Sequence, residues 1–167
     1  MKKMVILVLC LTMTSAAWAG LESSIFASYL SSDQLGNGWG AGLKTELNLW
    51  KWLGIDTRLG YVRFDDYLKV DMIPMEAALV LNIPLADQRI NPYGGIGIGY
   101  YFMNGDRWDF QDEMGYFPFL GIKAGTKAIS FMGEVRWLGL ETSYNDDTSN
   151  DVEVDALGVN LGMVIRW

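Results

Sequence analysis

Residues 156–167 read Ala-Leu-Gly-Val-Asn-Leu-Gly-Met-Val-Ile-Arg-Trp, and they alternate with a period of two up to the last residue. Leu157, Val159, Leu161, Met163, Ile165 and Trp167 fall on one face; Gly158, Asn160, Gly162, Val164 and Arg166 fall on the other. A strand sends successive side chains to opposite faces, so one face here is wholly apolar and the other mostly small or polar. In water, such a strand with an open edge would template aggregation. The pattern is coherent if the apolar face meets lipid and the strand closes a barrel, because closure satisfies every backbone group without water. The rest of the chain must then supply compatible strands.

It supplies seven. Gly20 to Leu30 is the least regular, with Ile25, Ala27 and Tyr29 against Ser24, Phe26, Ser28 and Leu30. From Trp39 the alternation is strong: Trp39, Ala41, Leu43, Thr45, Leu47 and Leu49 oppose Gly40, Gly42, Lys44, Glu46 and Asn48. Leu53, Ile55, Thr57, Leu59 and Tyr61 oppose Gly54, Asp56, Arg58 and Gly60. Met75 to Ile83, Tyr93 to Phe102, Tyr116 to about Thr126 and Ile129 to Trp137 repeat the scheme. Polar loops are expected near 31–38, 64–71, 103–115 and 141–155, and shorter turns near 50–52, 84–92 and 126–128. The expected fold is all-β, an eight-stranded antiparallel up-and-down transmembrane β-barrel. Eight is the smallest even strand number of bacterial outer-membrane barrels, which have short periplasmic turns and longer external loops. With the N-terminus on the periplasmic side, the acidic loops point outward and Trp167 ends in the periplasm.

Residues 1–19 read as a cleaved secretory signal, leaving 20–167 as one barrel domain. Lys2 and Lys3 form the positive region, Met4 to Met13 the apolar region, and Ala17-Trp18-Ala19 a small-x-small cleavage site. That apolar run falls short of the roughly 20 residues a spanning helix needs. The one cysteine, Cys10, leaves with the signal, so the mature chain is expected to carry no disulfide and no thiolate metal site.

Removing Lys2 and Lys3 from 13 Lys+Arg leaves 11 cations against 20 acids, a mature net charge of −9. That balance argues against nucleic acid as a partner. Lys44, Glu46, Asp56, Arg58, Glu76, Lys123, Glu134, Arg136 and Arg166 all lie opposite the apolar rows. The interior of an eight-stranded barrel is narrow enough for side chains to fill. Unpaired charges there would be costly. A plug of interlocking ion pairs is therefore expected, with inward glycines (Gly40, Gly42, Gly95, Gly97, Gly99, Gly121, Gly125, Gly158 and Gly162) leaving room for it. Aromatics fall where interfacial girdles belong: Trp50, Trp52, Tyr93 and Trp167 near the turns, and Trp39, Tyr61, Tyr100, Phe102, Tyr116 and Trp137 near the loops. Alternation alone also fits a soluble, lipocalin-type barrel with the faces inverted. The row of charges, the aromatic ends and the apolar terminal strand favour the membrane version.

These residues resemble the small outer-membrane β-barrel proteins of Gram-negative bacteria, the group of the OmpA transmembrane domain, OmpX and OmpW-like proteins. Gly162, Met163, Ile165 and Trp167 look like the signal such proteins present to the barrel-assembly machinery, with Trp for the commoner terminal Phe and Ile165 where an aromatic is frequent. Asn91 to Tyr101 looks like the fifth strand of the group. The resemblance implies an outer-membrane location, a lipid bilayer and lipopolysaccharide as surroundings, and a monomer. No peptidoglycan-binding domain is expected after Trp167.

Little chemistry is expected. The lipid-modifying barrels of the palmitoyl transferase and lipid A deacylase types rely on a catalytic histidine, and this chain has none. Glu76 or Glu134 could serve a carboxylate-only site, but an interior ion pair accounts for both. Gly95-x-Gly-x-Gly99 has the wrong spacing for a dinucleotide loop and no helix follows it. Asp146, Asp147, Asp151, Glu153 and Asp155 could collect Ca²⁺ or Mg²⁺, yet a solvated acidic loop is the plainer reading. No catalytic residue, cofactor or metal is expected. The expected function is a non-enzymatic envelope-structural or surface-interaction role through the acidic loops. The alternative is a narrow, porin-like pore or an OmpW-like conduit for small hydrophobic solutes, hinted at by inward Phe117 and Phe119 near the loop side.

Overall fold

The computed structural model describes residues 20–65, 69–83, 85, 89–105, 113–143 and 151–167; the signal segment 1–19 and the acids Asp146 and Asp147 lie outside the described residues. Eight strands follow in chain order: β1 (Gly20–Ser32), β2 (Gly36–Asn48), β3 (Leu53–Phe64), β4 (Val70–Asn82), β5 (Ile90–Gly105), β6 (Glu113–Gly125), β7 (Ile129–Ser143) and β8 (Asp151–Arg166). Each pairs antiparallel with the next, and β8 pairs with β1 from Glu22↔Arg166 to Ser32↔Ala156, closing the barrel.

The strands run further toward the loop end than side-chain alternation indicates. The expected loop 141–155 contains the ends of both β7 and β8, joined by rungs from Gly139↔Asp155 to Ser143↔Asp151. Likewise β5 runs on to Gly105, β6 begins at Glu113 and β4 begins at Val70. The expected loop 31–38 shrinks to the turn 33–35, closed by Gly36 at φ 82°. A ladder is made of backbone hydrogen bonds, so beyond the lipid level it continues through sequence such as 151–155 that has lost the apolar row of the lipid face.

The faces divide as the alternation predicts. Leu43, Leu79, Ile98, Leu120, Phe131 and Leu161 stand outward, with Leu120 74% and Phe131 70% exposed. The residues between them in each strand point into the lumen, where the larger side chains are buried and glycines such as Gly95, Gly97 and Gly162 are half-buried. A contiguous apolar wall around a closed barrel is a surface made for hydrocarbon, and the polar lumen inverts the arrangement of a soluble protein.

Two prolines interrupt the ladders. Pro74 keeps its pairing with Tyr101 on β5 but has no rung to Gly60 on β3. Pro118 keeps Ile96 on β5 but has no rung to Trp137 on β7. Proline lacks the N–H that each missing rung would use.

Candidate functional site

The lumen is where the chain concentrates its chemistry, and it is stratified from the turn end upward. At the turn end, Glu22 receives Arg166 Nε at 2.8 Å and Lys123 Nζ at 2.5 Å, and the same Lys123 reaches Glu46 at 2.8 Å. Arg166 also donates to the Thr126 carbonyl and to Ser130 Oγ. Asn82 donates to Glu46 and Asn48, and Asn91 donates to Asn82.

One level higher, Asp56 and Glu134 share Arg58 and Lys44. Arg58 donates to Asp56 at 2.8 Å and to Glu134 at 2.6 Å, while Lys44 lies 2.9 Å from Asp56 and 3.8 Å from Glu134. Tyr93 and Asn160 donate to Glu134 as well. Above them Arg136 donates to Glu76 at 2.7 Å, and Tyr101 donates to the same carboxylate at 3.0 Å.

All nine charged residues expected inside are therefore inside and paired. A tenth joins them. Glu22 was not among the expected set, although it is in phase with inward Ser24 and Phe26 and so was open to the same parity argument. It raises the described lumen to five acids against five cations, a neutral set. The net charge of residues 20–167 therefore rests on the residues outside the lumen.

Aromatic rings fill the space between the charges. Phe119 lies under Arg58 at 4.4 Å, and Phe117 lies between Arg58 and Arg136 at 5.1 and 5.8 Å. Tyr93 faces Lys44 and Lys123 at 4.8 and 5.0 Å. The quadrupole of an aromatic face attracts such cations, and more strongly where water is excluded. The rings fit because they lie on bare backbone: a Cβ at Gly97 would run into Phe117, and one at Gly95 would meet Phe119 at 2.7 Å.

Two expectations change here. Tyr93 is not a girdle residue; it shares the parity of Gly95 and Gly97 and is buried in the lumen. Phe117 and Phe119 do not form an apolar mouth, because they sit among the cations. The apolar part of the lumen lies at the loop end instead, where Leu30, Leu35, Val62, Phe64, Met72 and Leu138 pack together. Leu35 and Phe64 fall in segments expected to be loops, and the alternation that points a residue such as Leu30 inward does not say that it meets the others.

The girdles otherwise stand outward. Trp50 and Trp52 stack at the turn end. Tyr61 donates to Asp71 and Trp137 to Asp155 at the loop end. In the terminal strand, Met163 and Ile165 face outward, Gly162 faces Phe26 across the seam, and Trp167 is exposed with Nε1 donating to Ser23. Among the described residues no group of three His, Cys, Asp or Glu is placed to hold a metal ion.

No protein-family model matches the chain, and no curated sequence does. Solved structures do match in shape. Neisserial surface protein A superposes with a TM-score of 0.70 at 12% identity, over 89% of this chain and 96% of that one. The outer-membrane protein OprG of Pseudomonas aeruginosa gives 0.65 at 14%, over 89% and 96%. Ail, the attachment invasion locus protein of Yersinia pestis, gives 0.55 at 14%, over 89% and 99%. The fold is that of the small outer-membrane β-barrels. Identities this low speak to architecture alone, and fold does not carry function with it.

Proposed function

We propose that this chain is a closed, non-conducting and non-enzymatic barrel of the bacterial outer membrane, acting in envelope structure or surface interaction through its acidic loop end. The observation that carries this reading is the neutral lattice of five acids and five cations that crosses the lumen. Each charge has a partner from another strand, so an ion entering the lumen would have to displace a pairing in a desolvated site. The barrel sits in the bilayer beside lipopolysaccharide as a monomer, delivered there by the barrel-assembly machinery. Planar-bilayer recording on the refolded protein tests it. No steady conductance is expected, and reproducible single-channel steps would sink the reading.

A second reading, a conduit for small hydrophobic solutes, has its own observation. The apolar loop-end lumen, with Val62 and Met72, lies beside the missing rung between Gly60 and Pro74. A weak rung next to an apolar interior is where a solute could leave sideways into lipid. Uptake of a neutral apolar dye into cells carrying the protein separates the two readings. Uptake that falls when Gly60 and Pro74 are joined by a disulfide between introduced cysteines favours the conduit.

A further inference from the structure

The outward wall of the barrel is not evenly filled. Two apolar grooves of about 660 Å³ each meet over β4, β5 and β6, where both are lined by Leu79, Ile96 and Pro118. Outward Ala77 and Pro118 are small beside Leu79, Ile96 and Tyr116, which lowers the floor of the track. At the turn end the track begins at Leu53 and Leu81, register partners on β3 and β4. Leu53 directly follows Trp50-Lys51-Trp52, so the groove opens beside that turn.

Backbone hydrogen bonds hold the mouth of the groove in place. Trp50 N–H donates to the Leu53 carbonyl, and Asn82 N–H donates to the Trp52 carbonyl, which ties the 50–52 turn to the end of β4. On the β5 side Arg89 is exposed, and its carbonyl accepts from Gly125 N–H. Trp50 and Trp52 stack at 6.1 Å around exposed Lys51, which has no polar partner among the described residues. The chain is acidic, yet its turns 50–52, 83–89 and 126–128 carry Lys51, Arg89 and Lys127 against Asp87 alone, which lies outside the described residues. Indole rings belong at the headgroup level of a bilayer, and lysine or arginine beside them attracts anionic headgroups. The turns face the periplasmic leaflet, where the lipid is phospholipid.

We propose that Lys51, the Trp50–Trp52 pair, Arg89 and the groove running from Leu53 and Leu81 form a binding site for one anionic phospholipid of the periplasmic leaflet. The headgroup lies between the two turns, and an acyl chain follows the groove toward Ala77 and Pro118. Each cation near the headgroup favours an anionic lipid over a zwitterionic one by about fivefold. The acyl chain adds apolar contact that a soluble phosphate lacks. The site requires the outer-membrane location and not the closed lumen, so it stands apart from the choice between a sealed barrel and a conduit.

Native mass spectrometry of the full barrel, released from detergent micelles, provides the test. Phosphatidylglycerol and phosphatidylethanolamine with the same acyl chains are added in equal amounts. Phosphatidylglycerol should be retained in preference by about fivefold or more. Lys51→Gln should remove about fivefold of that preference, while Lys127→Gln, in the turn between β6 and β7, should leave it unchanged. Ala77→Trp, which fills the groove, should weaken retention of phosphatidylglycerol, and sn-glycerol 3-phosphate in excess should not displace the lipid. Heat-modifiable gel mobility checks that each variant is folded. Equal retention of the two lipids would overturn the proposal. Equal effects of Lys51→Gln and Lys127→Gln would do the same, since they would reduce the contact to diffuse charge attraction. Full retention in Ala77→Trp would remove the groove from the site, and displacement by glycerol phosphate would make it a phosphate site rather than a lipid site; either result sinks the proposal.

Discussion

Glu22 and Arg166 lie 144 residues apart and meet at 2.8 Å across the seam where the first and last strands close the barrel. They are also register partners in the β1–β8 ladder. The same carboxylate holds Lys123 of β6, so one side chain ties three strands at the turn end.

Replacing Glu22 by Gln should therefore loosen closure more than an exposed charge change would. Lys123 keeps Glu46, but Arg166 loses its carboxylate partner among the described residues. Glu22→Gln should cost about 1–3 kcal/mol in urea unfolding followed by heat-modifiable gel mobility, while Lys51→Gln in the exposed turn stays within about 0.5 kcal/mol. Equal midpoints for the two variants would remove Glu22 from the seam.

Glu76 and Arg136 form the most self-contained pair in the lumen, joined at 2.7 Å with Tyr101 as the additional donor. Arg136→Met or Glu76→Leu alone leaves a buried charge without its partner and should cost about 3–5 kcal/mol. The double variant should recover most of that loss, because two apolar side chains replace both ions. Additive losses in the double-mutant cycle would mean that the pair does not act as a unit.

Leu120 stands outward at mid-strand and is 74% exposed. Leu120→Arg should lower the stability of the barrel in lipid vesicles by about 2–4 kcal/mol. Were this outward face in water rather than lipid, the same change would be neutral and would improve solubility. Folding yield and urea midpoints in vesicles separate these cases.

Trp167 follows the last strand residue, exposed and bonded to Ser23 through its indole N–H. Deleting it should reduce the amount of barrel reaching the outer membrane more than Asn160→Ala does, although Asn160 is fully buried and donates to Glu134. Pulse-labelling of membrane fractions provides the measurement. Equal reductions would argue that the terminal residue is no assembly address.

Much of this architecture is written in short-range pattern. Strand number, strand order and the inward set from Lys44 to Arg166 follow from a period of two, which depends only on each residue's neighbours. The same parity would have moved Glu22 and Tyr93 to the lumen had it been applied to the ends of β1 and β5. Strand ends at the loop side were harder to read, since a backbone ladder needs no alternation once side chains leave the lipid.

Partnership is a different matter. That Arg58 meets Glu134 across 76 positions, or that Lys123 meets Glu22 across 101, depends on strands on opposite sides of the lumen arriving at the same height. Height is set by how the closed sheet is tilted and staggered, a property of the whole ring. The split into a neutral ionic inner half and an apolar loop-end half has the same origin. Alternation decides which way Leu30 and Met72 point, and only closure brings them together. The terminal strand from Ala156 to Trp167 thus declares by itself that it has a lipid face and a lumen face. The identity of Arg166's partner arises only when β1 closes against that strand and brings Glu22 level with it.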